Sequence, residues 1–286
     1  MRIAFIGFGE AARAFHDTLV KVDGGLSFAA YDLKDTADMA EAMAARGVAR
    51  GASPAEAIAG ADWIVSAVTA DQSLAAATSA AAHLGRGQVF IDINSVSPGR
   101  KRESAAAVEG AGAAYVDMAV MAPVHPRGHA TPVLVAGPTA AALALELERL
   151  GFSFDIAGDA PGAATAIKMV RSLFVKGLEA ITVEALLAAQ ASGCFEEVLA
   201  SLSKSYPGLG WPQIADYHFE RTLRHGVRRA AEMRESAATL DALGLTGGLA
   251  REIAAVQERM GAVGVGALGT GTLSGDVAEV LKARLG

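Results

Sequence analysis

The residues best suited to chemistry begin with a glycine-rich turn at residues 7–12, of sequence GFGEAA, which follows an apolar run. Gly7 allows a tight turn, Gly9 lets the backbone approach a pyrophosphate, and the small Ala12 lets a following helix pack closely on the strand. The first N–H groups of that helix have no intrahelical acceptor, so they can bind an anion. The turn therefore predicts a dinucleotide site formed by Gly7, Phe8, Gly9, Glu10 and Ala11. A turn selected only for packing is the alternative.

An acid, Asp32, ends the next apolar run. A carboxylate at this place holds the ribose hydroxyls of NAD and repels the additional phosphate of NADP. Lys21 and Lys34 carry the opposite charge and could offset that repulsion. The pattern predicts NAD as the cofactor and leaves NADP open.

A second chemical feature is a polar stripe at Lys168, Ser172 and Lys176, where the spacing of four residues places all three on one face of a helix. A lysine withdrawn from water near a nicotinamide ring has its ammonium disfavoured, which suits it to exchange a proton with a substrate oxygen. Charged residues at helical intervals also mark solvated faces, and spacing alone does not separate the two interpretations.

Two further segments collect cationic side chains. In the first, His125, Arg127 and His129 lie close together in sequence, and an arginine fork with neighbouring imidazoles suits a carboxylate. A solvated polar loop is the alternative. No metal is expected there, because Pro126 keeps the two histidines from lying one helical turn apart and no cluster of carboxylates completes a ligand set.

The second cationic segment lies in the helical half of the chain and contains His225, Arg228 and Arg229. These side chains are predicted to close the substrate pocket. The alternative is an exposed basic face that pairs with Glu232 and Glu235.

The elements that position these residues alternate between short β-rich runs and alanine-rich helical stretches. Strands are predicted at Arg2–Ile6, Ser27–Tyr31, Trp63–Val68, Gln88–Ile93, Ala114–Asp117, Val133–Ala136 and Ser153–Ile156. The alternation predicts a mainly parallel, doubly wound α/β sheet. Ligands of such sheets bind beyond the carboxyl ends of the strands, so Ala67, Val68, Asn94 and Ser95 are expected to face the cofactor. Ordinary turn chemistry is the alternative for Asn94 and Ser95.

After residue 158 the pattern becomes helical. One long helix of about 45 Å is predicted, with Asp159 as its N-cap, Pro161 in its first turn and Gly193 at its end. Further helices are predicted at Glu196–Ser203, Ile214–Leu243 and Leu249–Val263. The predicted organisation is a cofactor-binding domain at residues 1–158 and an all-α domain at residues 159–286, which binds substrate and forms a dimer.

Composition narrows the function. The 286 residues are 52% hydrophobic and 20% charged with a formal net charge of −6, which predicts a globular enzyme and argues against nucleic-acid or anionic-membrane partners. One cysteine excludes an internal disulfide framework, and no uncharged apolar stretch approaches the roughly 20 residues of a membrane helix. A cytoplasmic location is expected, because the chain opens on a strand and not on an apolar secretion signal.

These motifs together resemble the β-hydroxyacid dehydrogenase superfamily over nearly the whole chain. Its glycine-rich start matches residues 7–12, its aspartate-led substrate segment resembles residues 117–137, and its lysine motif GxGxxxKxxxN matches Gly162, Ala164, Lys168 and Ser172 with two of those positions substituted. The resemblance implies a Rossmann domain followed by a helical domain around a long helix, usually in a dimer or tetramer, and metal-free hydride transfer. It makes Lys168 the general acid/base, with Ser172 replacing the asparagine that positions the substrate.

The chain also departs from that family. Met121-Ala122-Pro123 replaces the usual Ser-Gly-Gly that binds the substrate carboxylate, and proline offers no backbone N–H. His125, Arg127, Arg171 or Lys176 could bind an anionic substrate instead. The residues that follow the lysine differ from those of 6-phosphogluconate dehydrogenase, which argues against that activity. The segment that begins at His225 resembles a less characterised branch of phosphogluconate-dehydrogenase-like proteins.

The resulting prediction is an NAD(P)-dependent oxidoreductase that interconverts a small hydroxy acid, or a related alcohol, with its carbonyl compound. An imine or ketone reductase of the same architecture is one alternative, although relatives of that type replace the lysine that this chain retains. A non-catalytic protein that senses the nicotinamide redox state is the other. Apolar faces on the later helices predict a homodimer, but they serve an intramolecular core equally well.

Overall fold

The computed structural model describes residues 1–285, which fall into two compact units. The first unit, Met1–Lys168, contains a sheet of eight strands. The second unit begins at Met169, and its regular elements within the described residues are helices. The predicted α/β class with a following all-α region is confirmed.

The strands are β1 (Arg2–Ile6), β2 (Ser27–Tyr31), β3 (Ala49–Arg50), β4 (Trp63–Ser66), β5 (Val89–Asp92), β6 (Ala114–Val120), β7 (Val133–Ala136) and β8 (Phe154–Gly158). The helices are α1 (Glu10–Val22), α2 (Ala37–Ala44), α3 (Pro54–Ile58), α4 (Ser73–Ala81), α5 (Pro98–Gly110), α6 (Ala140–Arg149), α7 (Ala163–Ala191), α8 (Phe195–Ser205), α9 (Gln213–Ala242), α10 (Gly248–Val263) and α11 (Leu273–Leu285).

The sheet has the strand order β3-β2-β1-β4-β5-β6-β7-β8. Strand β1 lies between β2 and β4, so the chain reverses its direction of travel through the sheet there, and ligands of doubly wound sheets bind at that point. Residues 3–6 are all buried, because helices cover both faces of a parallel sheet and its central strands are apolar throughout. The sequence reproduces β1, β2 and β7 to the residue.

Two features of the sheet are not specified by the sequence prediction. Strand β3 has two residues, too few to produce a periodic pattern. Strand β7 runs antiparallel to β6, because the intervening segment contains only a short 3-10 turn at Gly128–Ala130 and no crossover helix. The sheet is therefore mainly parallel, with one antiparallel pair.

Helix α7 confirms the predicted long helix but begins later than expected. The helix starts at Ala163, so Asp159 and Pro161 lie outside it and the predicted N-cap is wrong. Gly162, at φ +93°, makes the turn into the helix. The helix ends at Ala191, and Gly193, at φ +69°, follows in the left-handed conformation that commonly stops a helix.

The second unit has a core that includes charged side chains. Glu179 on α7 is ion-paired with Arg229 on α9 and accepts a hydrogen bond of 3.0 Å from Gln257 on α10. All three are buried. The interpretation of Arg229 as part of an exposed basic face is therefore wrong, because its guanidinium neutralises a carboxylate inside the unit.

Helices α9 and α10 cross closely where both carry glycine. A Cβ at Gly226 would lie 2.1 Å from the Gln257 carbonyl oxygen and 2.7 Å from the Gly261 nitrogen, so only glycine permits this approach. No helix among residues 1–285 combines the length and apolarity needed to cross a membrane.

Candidate active site

Gly7 is held between two strand ends. Its N–H donates to the Tyr31 carbonyl oxygen at 2.8 Å, and a Cβ at this position would lie 2.5 Å from the Ala67 carbonyl oxygen. Its φ of +86° is in the region that favours glycine. Gly7 is therefore required by the turn itself, as the sequence predicts.

Gly9, unlike Gly7, has open space where a side chain would lie. A Cβ there would meet no atom of the described residues within 4 Å. Gly9 is the N-cap of α1 in an extended conformation, and no side chain of the described residues caps this helix. The first N–H groups of the helix have no intrahelical acceptor and the space beside Gly9 is open, which fits a pyrophosphate. Phe8 is buried in the core and Glu10 is exposed, so the turn offers its backbone to a ligand.

Asp32 lies directly beside this turn. One carboxylate oxygen accepts the Phe8 N–H at 2.7 Å, and the other accepts the Lys34 N–H at 2.8 Å. An ionised carboxylate has about four acceptor positions, so roughly two stay available for vicinal hydroxyls. A cavity of about 430 Å³ adjoins Asp32 and is also lined by Arg50 and Gly51. The chemistry of these groups fits the adenosine ribose of a dinucleotide.

Asn94 ties together the ends of β4 and β5. Its side-chain oxygen accepts the Val68 N–H at 2.7 Å, and its amide nitrogen donates to the Ser66 hydroxyl at 2.9 Å. Asn94 is buried, so the turn-chemistry alternative does not describe it. Its side-chain contacts hold Val68 in place just beyond the carboxyl end of β4. The preceding residue, Ala67, has the carbonyl oxygen that lies close to Gly7.

Ser95 and Lys168 meet in the first unit. The Lys168 Nζ donates to the Ser95 hydroxyl oxygen at 2.6 Å, although the two residues are 73 positions apart in sequence. Lys168 is half-buried, while Ser172 and Lys176, further along α7, are 7% and 5% exposed. The solvated-face interpretation of the lysine stripe is therefore wrong. The sequence predicts each of these residues but not the contact between Ser95 and Lys168.

The start of α7 is capped from a distant strand. The Asp117 carboxylate on β6 accepts the Gly162 N–H at 3.1 Å, the Thr165 N–H at 2.9 Å and the Thr165 hydroxyl at 2.7 Å. Asp117 is 0% exposed, so it anchors the helix that carries Lys168. Asp117 therefore supplies the N-terminal cap of α7 that the sequence predicts at Asp159.

A buried lysine joins Asp117 to the neighbouring strand. Lys101 on α5 contacts both Asp92 and Asp117, and the Tyr115 hydroxyl donates to Asp92 at 2.9 Å. Burial and then the nearby Asp92 carboxylate raise the pKa of Tyr115 well above its usual value, which keeps this donor protonated. The sequence gives no signal for the role of Lys101, because this residue stands in the polar run GRKRES, which is typical of a solvated helix.

The loop after β6 does not collect its cations as predicted. His125 and Arg127 are exposed, but His129 is buried, with Nδ1 2.7 Å from the Thr18 hydroxyl oxygen on α1. Burial lowers the pKa of His129. Gly128 makes this docking feasible, since a Cβ there would lie 2.1 Å from the same hydroxyl. His129 thus anchors the loop and leaves His125 and Arg127 accessible to solvent.

The replaced substrate segment lies at the start of this loop. Met121 is half-buried and its N–H donates to the Pro132 carbonyl oxygen at 2.9 Å, while Ala122 and Pro123 are exposed. With one N–H engaged and proline lacking one, the segment offers few backbone donors.

The predicted substrate residues of the second unit have different environments. Arg171 is exposed. Lys176 is buried, with its Nζ 2.9 Å from a Glu232 carboxylate oxygen, so its charge is already offset. His225 is half-buried, and burial followed by the neighbouring Arg221 and Arg228 lowers its pKa. Within residues 1–285, no group of three histidine, cysteine, aspartate or glutamate residues could hold a metal ion.

Two family models match the chain. Residues 2–147 match the NAD binding domain of 6-phosphogluconate dehydrogenase. Residues 189–260 match a domain of unknown function, DUF1932.

Solved structures show the same fold. A conserved hypothetical protein from Sinorhizobium meliloti 1021 is 36% identical, with a TM-score of 0.77 and coverage of 99% of this chain and 96% of its own. A conserved protein of unknown function, described as similar to 3-hydroxyacid dehydrogenases, is 28% identical, with a TM-score of 0.71 and coverage of 91% and 98%. The 3-hydroxyisobutyrate dehydrogenase of Mycobacterium tuberculosis, solved with L-serine, is 21% identical, with a TM-score of 0.74 and coverage of 99% of both chains.

The NAD-binding family model covers the whole glycine turn, Asp32 and the loops that end β4 and β5. The open backbone at Gly9 and the spare acceptors of Asp32 fit that cofactor. The resemblance noted from the motifs is thereby confirmed. The chain belongs to the β-hydroxyacid dehydrogenase superfamily, and its first unit is an NAD(P)-binding domain.

Proposed function

We propose that this protein interconverts a small hydroxy acid, or a related alcohol, with its carbonyl compound. The observation that carries this proposal is the contact of 2.6 Å between Lys168 and Ser95, because Ser95 belongs to a loop that we expect to face the cofactor. An amine at that point can exchange a proton with the oxygen of a substrate whose carbon reacts at the nicotinamide.

Each residue has a defined part in this proposal. In oxidation, the Lys168 amine takes the proton from the substrate hydroxyl, and in reduction it returns that proton to the carbonyl oxygen. When bound, the nicotinamide accepts or supplies the hydride at the same carbon. Ser95 orients the lysine through their hydrogen bond. Ser172 lies one turn beyond Lys168 on α7 and orients the substrate.

We further propose that the substrate is anionic. His125 and Arg127 are exposed on the loop after β6, where the imidazole can donate a hydrogen bond and the guanidinium fork matches a carboxylate. They would replace the backbone donors that the segment at residues 121–123 lacks. Arg171 and His225 stay predictions as substrate ligands, as does a homodimer.

An initial-rate screen tests the proposed reaction. The wild-type protein would be assayed with NAD and NADP against short 3-hydroxy acids, sugar acids and aryl hydroxy acids, and in reverse with ketones and cyclic imines. We expect turnover of a hydroxy acid with release of the reduced cofactor. Reduction of imines alone would favour the imine reductase alternative. Tight cofactor binding without turnover of any of these compounds would favour the redox-sensing alternative.

The carboxylate of Asp32 is expected to select NAD over NADP. Asp32→Asn should lower the ratio of NADP to NAD dissociation constants by about tenfold, equivalent to about 1.4 kcal/mol, since it removes the charge that repels a 2′-phosphate. Isothermal titration calorimetry with each cofactor measures both constants. Asp38→Asn is the matched control, because Asp38 is exposed in the first turn of α2 and does not line the cavity beside Asp32. An equal change in both variants would show that general charge, and not the position of Asp32, sets the preference.

A further inference from the structure

A buried charge cluster in the first unit centres on Lys101 and lies outside the groups proposed to touch substrate or cofactor. The Lys101 Nζ lies 2.7 Å from the Asp92 carbonyl oxygen, 2.9 Å from an Asp92 carboxylate oxygen and 3.4 Å from an Asp117 carboxylate oxygen. The side chains of all three residues are 0% exposed. An ammonium is stable at such a place only when it is paired, and here it has two carboxylates.

The two carboxylates face each other across adjacent strands. Asp92 on β5 and Asp117 on β6 are partners in the parallel register. Like charges at neighbouring positions of a sheet repel, and burial strengthens that repulsion. Lys101 lies between them and carries the opposite charge, so it allows the ends of β5 and β6 to stay side by side.

Asp92 is connected to Ser95 through the backbone of Asn94. A carboxylate oxygen of Asp92 accepts the Asn94 N–H at 2.9 Å, and the other accepts the Tyr115 hydroxyl at the same distance. The backbone that precedes Ser95 is therefore held by the same carboxylate that Lys101 binds.

Asp117 is connected to Lys168 through the first turn of α7. Its carboxylate caps α7 through Gly162 and Thr165, and Lys168 follows Thr165 by three residues, about one turn of the helix. Gly162 also packs against the start of α5, where a Cβ added to it would lie 2.9 Å from the Pro98 carbonyl oxygen. The base of α7 is thus fixed to the helix that carries Lys101.

We propose that Lys101 is a positioning residue that holds Ser95 and Lys168 in contact by bridging Asp92 and Asp117. The proposal rests on the function proposed above for Lys168. Without Lys101, the two uncompensated carboxylates repel each other and separate, and each displaces the segment that it anchors. The catalytic amine then loses its alignment although the cofactor turn around Gly7 is untouched.

The test compares three variants. Lys101→Met removes the bridging charge, and Thr165→Val removes one donor to Asp117 while leaving all charges in place. Ser104→Ala is the matched control, since Ser104 is equally buried on α5 and its hydroxyl has no hydrogen-bond partner among the described residues. The measurements are kcat and KM, the dissociation constant of NAD, and the Lys168 resonance in protein labelled with 13Cε-lysine, assigned by its loss in Lys168→Met.

We expect Lys101→Met to lower kcat by about 10- to 100-fold, as for a catalytic group displaced by a fraction of an ångström to an ångström. Thr165→Val should lower kcat by about 2- to 10-fold. In both variants the Lys168 resonance should move, while KM and the NAD dissociation constant stay within about twofold and Ser104→Ala matches wild type.

Two results would overturn the proposal. One is a folded Lys101→Met protein with a wild-type kcat and an unchanged Lys168 resonance, which would make the cluster a structural brace only. The other applies if Lys101→Met does not fold. It is a Thr165→Val protein whose kcat and Lys168 resonance both equal those of wild type. If the wild-type protein turns over no substrate, the proposed function fails, and the Lys168 resonance alone still decides whether the cluster positions that side chain.

Discussion

Lys168→Met is expected to lower kcat by about 10²- to 10⁴-fold, the usual contribution of a general acid/base, while the NAD dissociation constant changes less than about twofold. Methionine has a similar length and no ionisable group, so the substitution removes the proton exchange and the hydrogen bond to Ser95. The cofactor turn and Asp32 are untouched, because their contacts are with β2, β4 and each other. Initial rates at saturating substrate and a cofactor titration measure the two quantities.

Lys204→Met is the matched control for this experiment. Lys204 is exposed on α8, so the same chemical change there should leave both kcat and cofactor affinity at wild-type values. A Lys168→Met protein with unchanged kcat would remove Lys168 from the mechanism. A loss of kcat together with a loss of NAD affinity would assign Lys168 to cofactor binding instead of proton exchange.

Gly7→Ala and Gly9→Ala are expected to separate folding from cofactor binding. At Gly7 a methyl group would adopt a φ of +86° and would lie 2.5 Å from the Ala67 carbonyl oxygen, well inside van der Waals contact. Such backbone strain costs about 1–3 kcal/mol, and the overlap adds to it, so the free energy of unfolding should fall by at least that amount. At Gly9 the backbone has a φ of −79° and a methyl group would meet no described atom within 4 Å. The free energy of unfolding of Gly9→Ala should therefore differ from that of wild type by less than about 0.5 kcal/mol.

The affinity for NAD should fall in the Gly9→Ala protein despite its unchanged stability. The added methyl group enters the space through which a pyrophosphate approaches the first N–H groups of α1, and we expect a loss of at least about tenfold, or about 1.4 kcal/mol. Urea unfolding without cofactor and a cofactor titration measure the two effects independently. Wild-type affinity in Gly9→Ala would place the pyrophosphate elsewhere along the sheet edge.

The sequence by itself determined the features that depend on neighbouring residues. Strand β1, the turn at residues 7–12 and helix α1 follow from apolar runs and glycines whose meaning is local, and Asp32 is recognisable because it ends the next strand. The length of α7 is predicted for the same reason, since a long helical pattern extends from Gly162 to Gly193. The cofactor class follows directly from these elements.

Only the tertiary structure decided which side chains meet. The cap of α7 comes from Asp117, 45 residues before Gly162, and the partner of Lys168 is Ser95, 73 residues before it. Nothing in the periodicity of a segment specifies such partners. Lys101 shows the reason most clearly: its sequence context is that of a solvated helix, and it is buried because two strands bring Asp92 and Asp117 to face it.

The same reason explains the sequence predictions that were wrong. His129 stands two residues from an exposed arginine, yet its ring is buried because α1 presents Thr18 to it. Arg229 belongs to a basic run, yet it is buried because α7 presents Glu179. Local pattern specifies which element a residue belongs to and which cofactor its turns can bind. Burial and charge pairing depend on what the other elements bring to the same place, and those contacts decide how the candidate site is held together.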